Sequence, residues 1–404
     1  MKRYSPNITR IDAYLSGQET HPFFTPLNAY QNHEAVYYAE DEKINFKAYI
    51  AIHSTKRGPS LGGARFRSNY KVDSFEPLED ALRLSQAMTT KNTLAGLDLG
   101  GGKAVIVGTE GQEKPTKAQL KAFGVFVDSL EGAYVTAEDM NMTVKDLIRV
   151  SKYTKYVAGI SLKKMQKRHG QKITRVIPAP KPNPAPYTAL GTLMGIQAAC
   201  EIVFKNPSLK DRLVAVKGAA GSVGKRLTKL LFNEGAKLII SDMDDHPAKQ
   251  QTLIDLKNRY NARIVSSKDI LKQHVDVYAP CATGGDISTA SLKSLKAKII
   301  AGAANNVLAE PSVELEALEK GIVYIPDFIL NAGGVISVGA QYLWATKPDA
   351  YDTPTDAVIE DKIRDIKSVI LDLHADTKSA NIPLGLAALE KSKMILQTET
   401  TSRV

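Results

Sequence analysis

The sequence predicts an α/β protein of two domains, the second of them built on a doubly wound parallel sheet. From about residue 213 onward, short runs of branched residues alternate with helical stretches, a pattern typical of parallel strands joined by helices. Strands and amphipathic helices also alternate in the first half. The alternating prolines of Pro178–Pro186 favour extended backbone and end any helix, so we interpret this segment as a linker or hinge beside the domain junction.

The elements of the second half follow from runs of apolar residues. A helix is predicted over Thr188–Phe204, and helical periodicity returns in the last sixty residues. The predicted strands are Leu213–Val216, Leu238–Ser241, Val275–Ala279, Ala297–Ala301 and Ile322–Ile325, and the predicted C-terminal helices are Val358–Ser379 and Leu384–Gln397.

The first half begins with about forty polar residues that we interpret as irregular, followed by a glycine-rich turn at Gly58–Arg65. An amphipathic helix is predicted over Phe75–Met88, with Pro77 in its first turn. The other predicted strands are Ile44–Ile52, Lys103–Gly108 and Ala133–Thr136, and the other predicted helices are Lys117–Leu130 and Thr143–Ser151.

Composition excludes several classes of protein. The 404 residues are 43% hydrophobic and 24% charged, which is ordinary for a globular chain and enough for two cores. No continuous apolar run reaches the length of a membrane span, and the polar N-terminus lacks the apolar segment of a secretory signal. The two cysteines, Cys200 and Cys281, lie in apolar contexts and are predicted to be buried thiols in a reducing compartment, the cytoplasm.

The formal net charge of +10 raises the question of an anionic partner. The densest cluster of cations runs from Lys163 to Arg175 and carries no interleaved aromatic residues or zinc-ligand spacing. We therefore interpret it as a solvated basic loop. Nothing beyond charge favours a nucleic-acid partner.

A glycine-rich segment in the second half has the order of a dinucleotide site. Gly218, Gly221 and Gly224 follow a predicted strand and open a predicted helix, whose N-terminus supplies N–H groups and positive dipole to a pyrophosphate. Asp242 ends the next strand, where a carboxylate can accept from both ribose hydroxyls and repels the 2′-phosphate of NADP. The pattern predicts a Rossmann-type domain that binds NAD.

Two lysines stand out in the first half, Lys91 in MTTKN and Lys103 in GLDLGGGKAVIVG. Lys103 follows three glycines and opens an apolar strand, a place where lysine is costly unless it faces a cleft. Desolvation and a second ammonium nearby would both lower its pKa and provide a neutral amine as general base. Asp139 ends a predicted strand, where its carboxylate could relay protons.

These residues lie in motifs that resemble the glutamate/leucine/phenylalanine/valine dehydrogenase family, and its leucine branch most closely. The resemblance is collinear from about residue 40 to about 345, with a fainter similarity in the C-terminal helices. The glycine turn, the segment between Gly159 and Pro184, Ala158 and the helix after Gln341 depart from the family pattern. The motifs are GPSLGGAR, EDALRLSQAMTTKN, LDLGGGKAVIVG, YVTAEDMNMTVKD, APCATGGDIS, AGAANN and PDFILNAGGVISV.

The resemblance implies a role for each matching position. Lys91 and the backbone N–H groups of Gly62 and Gly63 would hold the substrate carboxylate, Lys103 would activate water, and Asp139 would carry protons to and from the amine. Thr188 and Asn305 would position the nicotinamide. Further cofactor contacts are implied for Ser222, Val223, Ala282, Ala303 and Asn331, and the side-chain pocket is implied for Leu61, Met88, Ala137, Val335 and Val338.

The implied activity is the oxidative deamination of a small apolar L-amino acid to a 2-oxo acid and ammonium, with leucine as the first expectation. The implied pocket is apolar throughout, which argues against glutamate because burial of an unpaired carboxylate is costly. We expect residues 1–158 with about 376–404 to form the catalytic and oligomerisation domain, in a dimer or octamer, and residues 159–375 to bind NAD. No metal is expected.

Two alternatives stay open at this point. The same machinery would serve a phenylalanine, valine or tryptophan dehydrogenase. A different class of function is a non-catalytic dinucleotide-binding protein that uses the basic segment Lys163–Arg175 for an anionic partner. Retention of Lys91, Lys103 and Asp139 together argues against a sensor, because ligand binding alone requires no water-activating base.

Overall fold

The computed structural model describes residues 4–71, 74–171, 180, 183–377 and 382–401. The chain divides into two compact units. Unit 1 comprises residues 1–182, 338–355 and 392–404, and unit 2 comprises residues 183–337 and 356–391. The first division therefore falls 24 residues beyond the expected boundary at 158, and most of the segment expected to return to the first domain lies in unit 2.

Unit 1 is an α/β unit whose strands and helices begin close to the N-terminus. Its elements before residue 182 are β1 (Asn7–Arg10), α1 (Asp12–Leu15), β2 (Ala35–Asp41), the 3₁₀ turn Glu42–Ile44, β3 (Phe46–Ser54), β4 (Ser60–Arg67), α2 (Glu76–Leu94), β5 (Gly100–Val107), α3 (Lys117–Asp128), β6 (Tyr134–Glu138), α4 (Val144–Val150) and α5 (Leu162–Arg168).

The described strands of unit 1 form a mixed sheet in the order β1-β2-β3-β5-β4-β6. Strands β4, β5 and β6 are parallel to one another, while β1, β2 and β3 pair antiparallel. Helix α2 packs on this sheet through Leu78, Ala81 and Leu82, which are fully buried in one core cluster with Val105 of β5. The end of α2 lies against the first residues of β4 and β5, where Asn92 bonds to the carbonyl oxygens of Leu61 and Gly100.

The prediction of a glycine-rich turn at Gly58–Arg65 is wrong, because most of this segment is strand β4 at the centre of the parallel part of the sheet. The glycines allow close approach of neighbouring backbone. A Cβ atom at Gly62 would lie 1.7 Å from the carbonyl oxygen of Gly102 on β5. Glycine here therefore marks a crowded strand, as it does where another backbone comes near.

Two other expectations for the first half need correction. The N-terminal forty residues are not irregular throughout, since β1 and β2 form an antiparallel pair. The basic segment is not a loop throughout, because Leu162–Arg168 is a helix that buries Leu162 and Met165. Lys172 and Arg175 lie outside the described residues, as do Pro178 and Pro182 of the predicted linker.

Unit 2 is an alternating α/β unit, and the division between units also falls within α12 and α14. Its elements and those that follow are α6 (Ala185–Phe204), β7 (Leu213–Lys217), α7 (Gly224–Asn233), β8 (Lys237–Ser241), α8 (Pro247–Tyr260), β9 (Arg263–Ile264), the 3₁₀ turn Ile270–Lys272, β10 (Val275–Pro280), α9 (Thr289–Ser294), β11 (Ala297–Ile300), α10 (Ser312–Glu319), β12 (Val323–Tyr324), α11 (Asp327–Leu330), α12 (Gly333–Thr346), α13 (Asp356–Thr377) and α14 (Leu384–Thr401).

The described strands of unit 2 form a parallel sheet in the order β12-β11-β10-β7-β8-β9. Its order reverses between β7 and β10, which is the switch point of a doubly wound sheet and the place where such folds bind dinucleotides. Ile239, Tyr278 and Ile300 are buried in the core beside this switch. The predicted fold of the second half is confirmed.

Helix α6 is long and apolar enough, by length and composition alone, to cross a membrane. Most of it is nevertheless buried within unit 2, where it packs against α7, α11 and α13. Helix α13 contributes Ile363, Ile366 and Ile370, which are all buried. This packing makes α6 a core helix of unit 2 and explains why α13 belongs to that unit.

Candidate active site

The centre of the candidate site in unit 1 is an ion pair between Lys103 of β5 and Asp139, the residue after β6. The Nζ atom of Lys103 lies 2.7 Å from Oδ2 of Asp139. The Lys103 side chain is only 7% exposed and the Asp139 side chain 27% exposed. A carboxylate and an amine that share one short contact in a largely dry place can exchange a proton directly.

Burial and charge act in opposite directions on this pair. Burial lowers the pKa of the Lys103 ammonium, and the attraction of Asp139 offsets only part of that effect. Burial alone would raise the pKa of the Asp139 carboxyl, but the ammonium of Lys103 and the guanidinium of Arg65 outweigh it and hold that pKa below its ordinary value. Asp139 therefore stays ionised while Lys103 is displaced toward the neutral amine that a general base requires.

A third charged residue, which the sequence reasoning missed, completes this cluster. Arg65 of β4 places Nε 3.1 Å from Oδ2 of Asp139 and Nη1 3.4 Å from Oδ2 of Asp80 on α2. Arg65 belongs to the same GGAR segment as the glycines, and the strand alternation puts it on the face of Leu61 and Gly63. Alternation would have placed Arg65 on this face if the segment had been taken as a strand, but its closeness to Asp139 also depends on the pairing of β4 with β6.

Helix α2 ends beside the glycines of β4 and β5. Asn92, another residue that the sequence reasoning passed over, donates from Nδ2 to the carbonyl oxygens of Leu61 and Gly100, at 3.3 and 2.6 Å. A Cβ atom at Gly101 would lie 2.1 Å from the backbone nitrogen of Thr89. These contacts fix the last turns of α2, which carry half-buried Lys91, against the strand that carries Lys103.

The pairing of β4 with its neighbours is uneven at the two glycines that resemblance assigned to the substrate carboxylate. Gly62 and Gly63 pair in register with Thr136 and Ala137 of β6. The pairing with β5 runs through Ser60–Leu61 and again through Ala64–Arg67, and skips the two glycines. The pairing of β4 is therefore interrupted toward β5, the strand that carries Lys103.

The expected pocket residues are distributed over both units. Leu61 and Ala137 are buried on adjacent parallel strands of unit 1, and Met88 is half-buried on α2. Val335 and Val338 are half-buried and lie about one turn apart on α12, in unit 2 and unit 1 respectively. All five of these residues are apolar.

In unit 2 the glycine turn forms the strand–turn–helix arrangement that the sequence predicted. Gly218 ends β7 with a φ of +81°, which favours glycine, and a Cβ at Gly224 would lie 2.1 Å from the carbonyl oxygen of Gly218. Gly221, Ser222 and Val223 form the turn, and α7 begins at Gly224. A helix N-terminus at the switch point, with its N–H groups and positive dipole end, fits a dinucleotide pyrophosphate.

Asp242 lies at the end of β8, as expected for a ribose ligand, but its carboxylate already has partners. It is 4% exposed, Oδ2 accepts a hydrogen bond from the backbone of Ala220 at 2.9 Å, and Oδ1 lies 2.8 Å from Nζ of Lys249. Lys249 is in the first turn of α8 and was not recognised from the sequence. The carboxylate that was expected to meet the ribose is therefore paired with a cation.

The other residues expected to contact a cofactor lie after β10, after β11, at the end of α11 and on α6. Asn331 donates from Nδ2 to the Asn305 side chain at 2.7 Å and to the carbonyl oxygen of Ala303 at 3.3 Å. Ala282 follows β10, and its backbone nitrogen would lie 2.8 Å from a Cβ at Gly218. Thr188 donates to the Pro184 carbonyl within the first turn of α6. Unit 2 thus places the expected residues along the carboxyl ends of neighbouring strands.

Neither a metal site nor a reactive thiol is found at the two candidate sites among the described residues. Among the residues that the structure describes, no group of three His, Cys, Asp or Glu side chains is arranged to hold a metal ion. Both cysteines are free. Cys200 is buried as predicted, whereas Cys281, predicted to be buried as well, is partly buried. Burial raises the pKa of the Cys200 thiol to about 11, so this thiol is unreactive near neutral pH.

Two family models match the chain. A model described as "Glu/Leu/Phe/Val dehydrogenase, dimerisation domain" matches residues 28–156, and a model described as "Glutamate/Leucine/Phenylalanine/Valine dehydrogenase" matches residues 185–390. The two matches together span most of the chain and correspond to the main segments of units 1 and 2.

Individual proteins match over comparable lengths. The leucine dehydrogenase of Geobacillus stearothermophilus is 38% identical over 372 residues, which is 92% of this chain and 93% of that protein. The leucine dehydrogenase of Bacillus subtilis is 41% identical over 77% of this chain and 79% of its own length. The crystal structure of L-tryptophan dehydrogenase from Nostoc punctiforme has a TM-score of 0.75 and 33% identity, over 92% of this chain and 97% of that one.

Proposed function

The chain belongs to the glutamate/leucine/phenylalanine/valine dehydrogenase family and is an oxidoreductase that acts on an amino-acid donor, and on this premise we propose that it uses NAD to deaminate a branched-chain L-amino acid, with leucine preferred. The observation that supports this most directly is the buried contact of 2.7 Å between Lys103 and Asp139. Ligand binding alone would not require an amine and a carboxylate held together in a desolvated place.

Recognition of the amino acid begins with its carboxylate. Lys91, on the last turns of α2, would supply a cation, and the N–H groups of Gly62 and Gly63 would supply hydrogen bonds. The contacts of Asn92 hold this end of α2 against both strands. A fixed carboxylate orients the α-carbon, and orientation of this kind contributes much of an enzymatic rate.

The chemistry then depends on proton transfers at two atoms. A bound nicotinamide supplies the hydride acceptor for the substrate α-carbon. Nζ of Lys103 takes a proton from the water that attacks the imine carbon, and the oxygens of Asp139 pass protons to the amino nitrogen as it leaves. One amino acid in its ammonium form, one water and one NAD⁺ thus give one 2-oxo acid, one ammonium ion, one NADH and one proton released to solvent, and the electron pair leaves the α-carbon as the hydride. Burial lowers the pKa of Lys103 and so prepares it to act as the base.

The choice of NAD is supported by the carboxylate at the ribose position. Asp242 can accept hydrogen bonds from ribose hydroxyls and opposes a 2′-phosphate. Its pairing with Lys249 at 2.8 Å offsets part of its charge. We therefore expect NAD to be preferred over NADP by a smaller margin than an unpaired aspartate would produce.

The preference for a branched aliphatic substrate rests on the apolar character of the proposed pocket. Leu61, Met88, Ala137, Val335 and Val338 offer no cation to a second carboxylate. A missing methylene changes binding in an apolar pocket by only about 1–3 kcal/mol. Leucine, isoleucine and valine should therefore all be oxidised, within roughly a hundredfold of one another.

The test is a spectrophotometric comparison of catalytic efficiency with NAD at one pH. Leucine, isoleucine and valine should be oxidised, and glutamate should not. A higher efficiency with phenylalanine or tryptophan would contradict the leucine assignment while leaving the mechanism intact. A preference for glutamate would contradict the pocket assignment.

We further propose that the chain assembles as a homo-oligomer, a dimer or an octamer, through unit 1. The match of residues 28–156 to a dimerisation-domain model supports this. Light scattering after size-exclusion chromatography would test it, and a monomer at micromolar concentration would refute it. We place the protein in the cytoplasm, where free thiols stay reduced.

A further inference from the structure

The Asp139 carboxylate is held from two sides by cations of two different strands. Both Nζ of Lys103, at 2.7 Å, and Nε of Arg65, at 3.1 Å, approach the same oxygen, Oδ2. The Arg65 side chain is 17% exposed, so this is not a contact between solvated groups. An ion pair in such a place has a defined geometry, in contrast to surface pairs that contribute little.

Arg65 is itself anchored at the other edge of its guanidinium. Nη1 lies 3.4 Å from Oδ2 of Asp80, whose side chain is 12% exposed. Asp80 also accepts from the Tyr70 hydroxyl at 2.8 Å and from Nη2 of Arg83 at 2.8 Å. The planar fork of arginine can bridge two carboxylates in this way, which the single ammonium of lysine cannot do with the same geometry. A continuous charge network therefore runs from α2 through β4 to Asp139.

We propose that Arg65 is a positioning residue of the catalytic pair: braced on Asp80, its guanidinium fixes the Asp139 carboxylate against Lys103 in the orientation for proton transfer. This role rests on the proposed function, in which Lys103 and Asp139 move protons. In this proposal Arg65 acts through Asp139 and does not itself contact the substrate.

Arg65 shifts the pKa values of Asp139 and Lys103 in the same direction, downward. As a permanent cation it helps to lower the pKa of the Asp139 carboxyl and of the Lys103 ammonium. In the described part of the chain, Asp139 also acts electrostatically on Glu138 and Tyr134 of β6. Asp80 lies beyond Arg65, and Arg67, Tyr70 and Arg83 contact it. Removal of the guanidinium should thus raise the pKa of Lys103, and the acidic limb of the pH–rate profile, which reports loss of the neutral base, should move to higher pH.

The experiment compares Arg65→Gln, Arg65→Lys and the control Arg83→Gln in the full-length protein. Arg83 contacts the same Asp80 carboxylate but is largely exposed and does not contact Asp139 in the described structure. Arg65→Gln should lower kcat about ten- to a hundredfold through misalignment, leave the KM for leucine within a few-fold, and move the acidic limb upward. Arg65→Lys should restore most of the pH profile but only part of kcat. Arg83→Gln should change neither.

A second readout does not depend on turnover. The rate at which an amine-directed acylating reagent labels Lys103, followed by peptide mass spectrometry across pH, reports the neutral fraction of its amine. Its midpoint should move to higher pH in Arg65→Gln and not in Arg83→Gln. If the wild type oxidises no apolar amino acid, the proposed function fails while this profile still tests Arg65. The inference is overturned if folded Arg65→Gln keeps both a normal kcat and a normal labelling midpoint. If Arg65→Gln does not fold, the same result for folded Arg65→Lys overturns it. Equal effects of Arg83→Gln also overturn it.

Discussion

The cation paired with Asp242 provides a direct test of cofactor discrimination. Lys249 lies 2.8 Å from the carboxylate that would meet the adenosine ribose, and its side chain is 34% exposed. Replacement by methionine keeps most of the length and apolar stem of the side chain and removes the charge. We expect Lys249→Met to increase the preference for NAD over NADP, because Asp242 would then oppose a 2′-phosphate with its full charge.

The size of the effect follows from the charges. Two unit charges at about 4 Å interact by roughly 4 kcal/mol at an effective dielectric constant near 20. Exposure of about a third of Lys249 brings solvent and salt screening, which reduces such an energy to about 1 kcal/mol. Since about 1.4 kcal/mol corresponds to a factor of ten, the ratio of Kd for NADPH to Kd for NADH should rise about fivefold to tenfold.

The assay is a fluorescence titration with NADH and NADPH at low salt, repeated at high salt, where the difference should shrink. Lys257→Met removes the same charge from the other end of α8 and serves as the control, since Lys257 is exposed and lies in the last turn. Asp242→Asn should move the ratio in the opposite direction. An unchanged or smaller ratio in Lys249→Met, or an equal change in the control, would refute the reasoning.

Three further predictions concern the proposed mechanism and the packing beneath it. Lys103→Ala should lower turnover on the order of a thousandfold or more through loss of the base, with NADH affinity unchanged. A near-normal rate would show that Lys103 is not the general base. Lys91→Ala should raise the KM for the amino acid strongly, since the cation for its carboxylate is lost, and an unchanged KM in steady-state assays would contradict this. Gly101→Ala should destabilise the fold by about 1–3 kcal/mol in urea unfolding, because the new Cβ would lie 2.1 Å from the backbone nitrogen of Thr89; equal midpoints would show that α2 can move away.

The sequence predicted five of the six described parallel strands of unit 2 because each of these is a short apolar run between helical stretches. It missed β9, which has only two residues and is not buried. Strands β7, β8 and β10 agree with the predicted limits to within one residue at each end. Strand β4 was missed for a physical reason: its glycines have the composition of a turn, and only the neighbouring backbones reveal that they relieve crowding. Helix α5 was missed because its charges obscure the apolar residues Leu162 and Met165.

Residues of the candidate site could be predicted where they lie in a sequence motif. Residues that join the site only through tertiary contacts could not. Lys103 follows glycines into an apolar strand, so its burial could be expected. The closeness of Arg65 to Asp139 depends on the parallel pairing of β4 with β6, which no local pattern specifies. Lys249 is seven residues beyond Asp242, and the turn that brings them together has no signature in the sequence.

The discontinuity of unit 1 has a consequence for how the chain folds during synthesis. Residues 338–355 belong to unit 1 but follow all of residues 183–337, which at about 5–20 residues per second takes roughly ten to thirty seconds to translate. In the finished protein Gly339 packs against Leu97 and Leu99, and Tyr342 packs against His169. Until α12 emerges, these apolar surfaces have no partner from this part of the chain. We therefore expect chains that end before Val338 to expose them and to bind chaperones, even though they contain every strand of the unit 1 sheet.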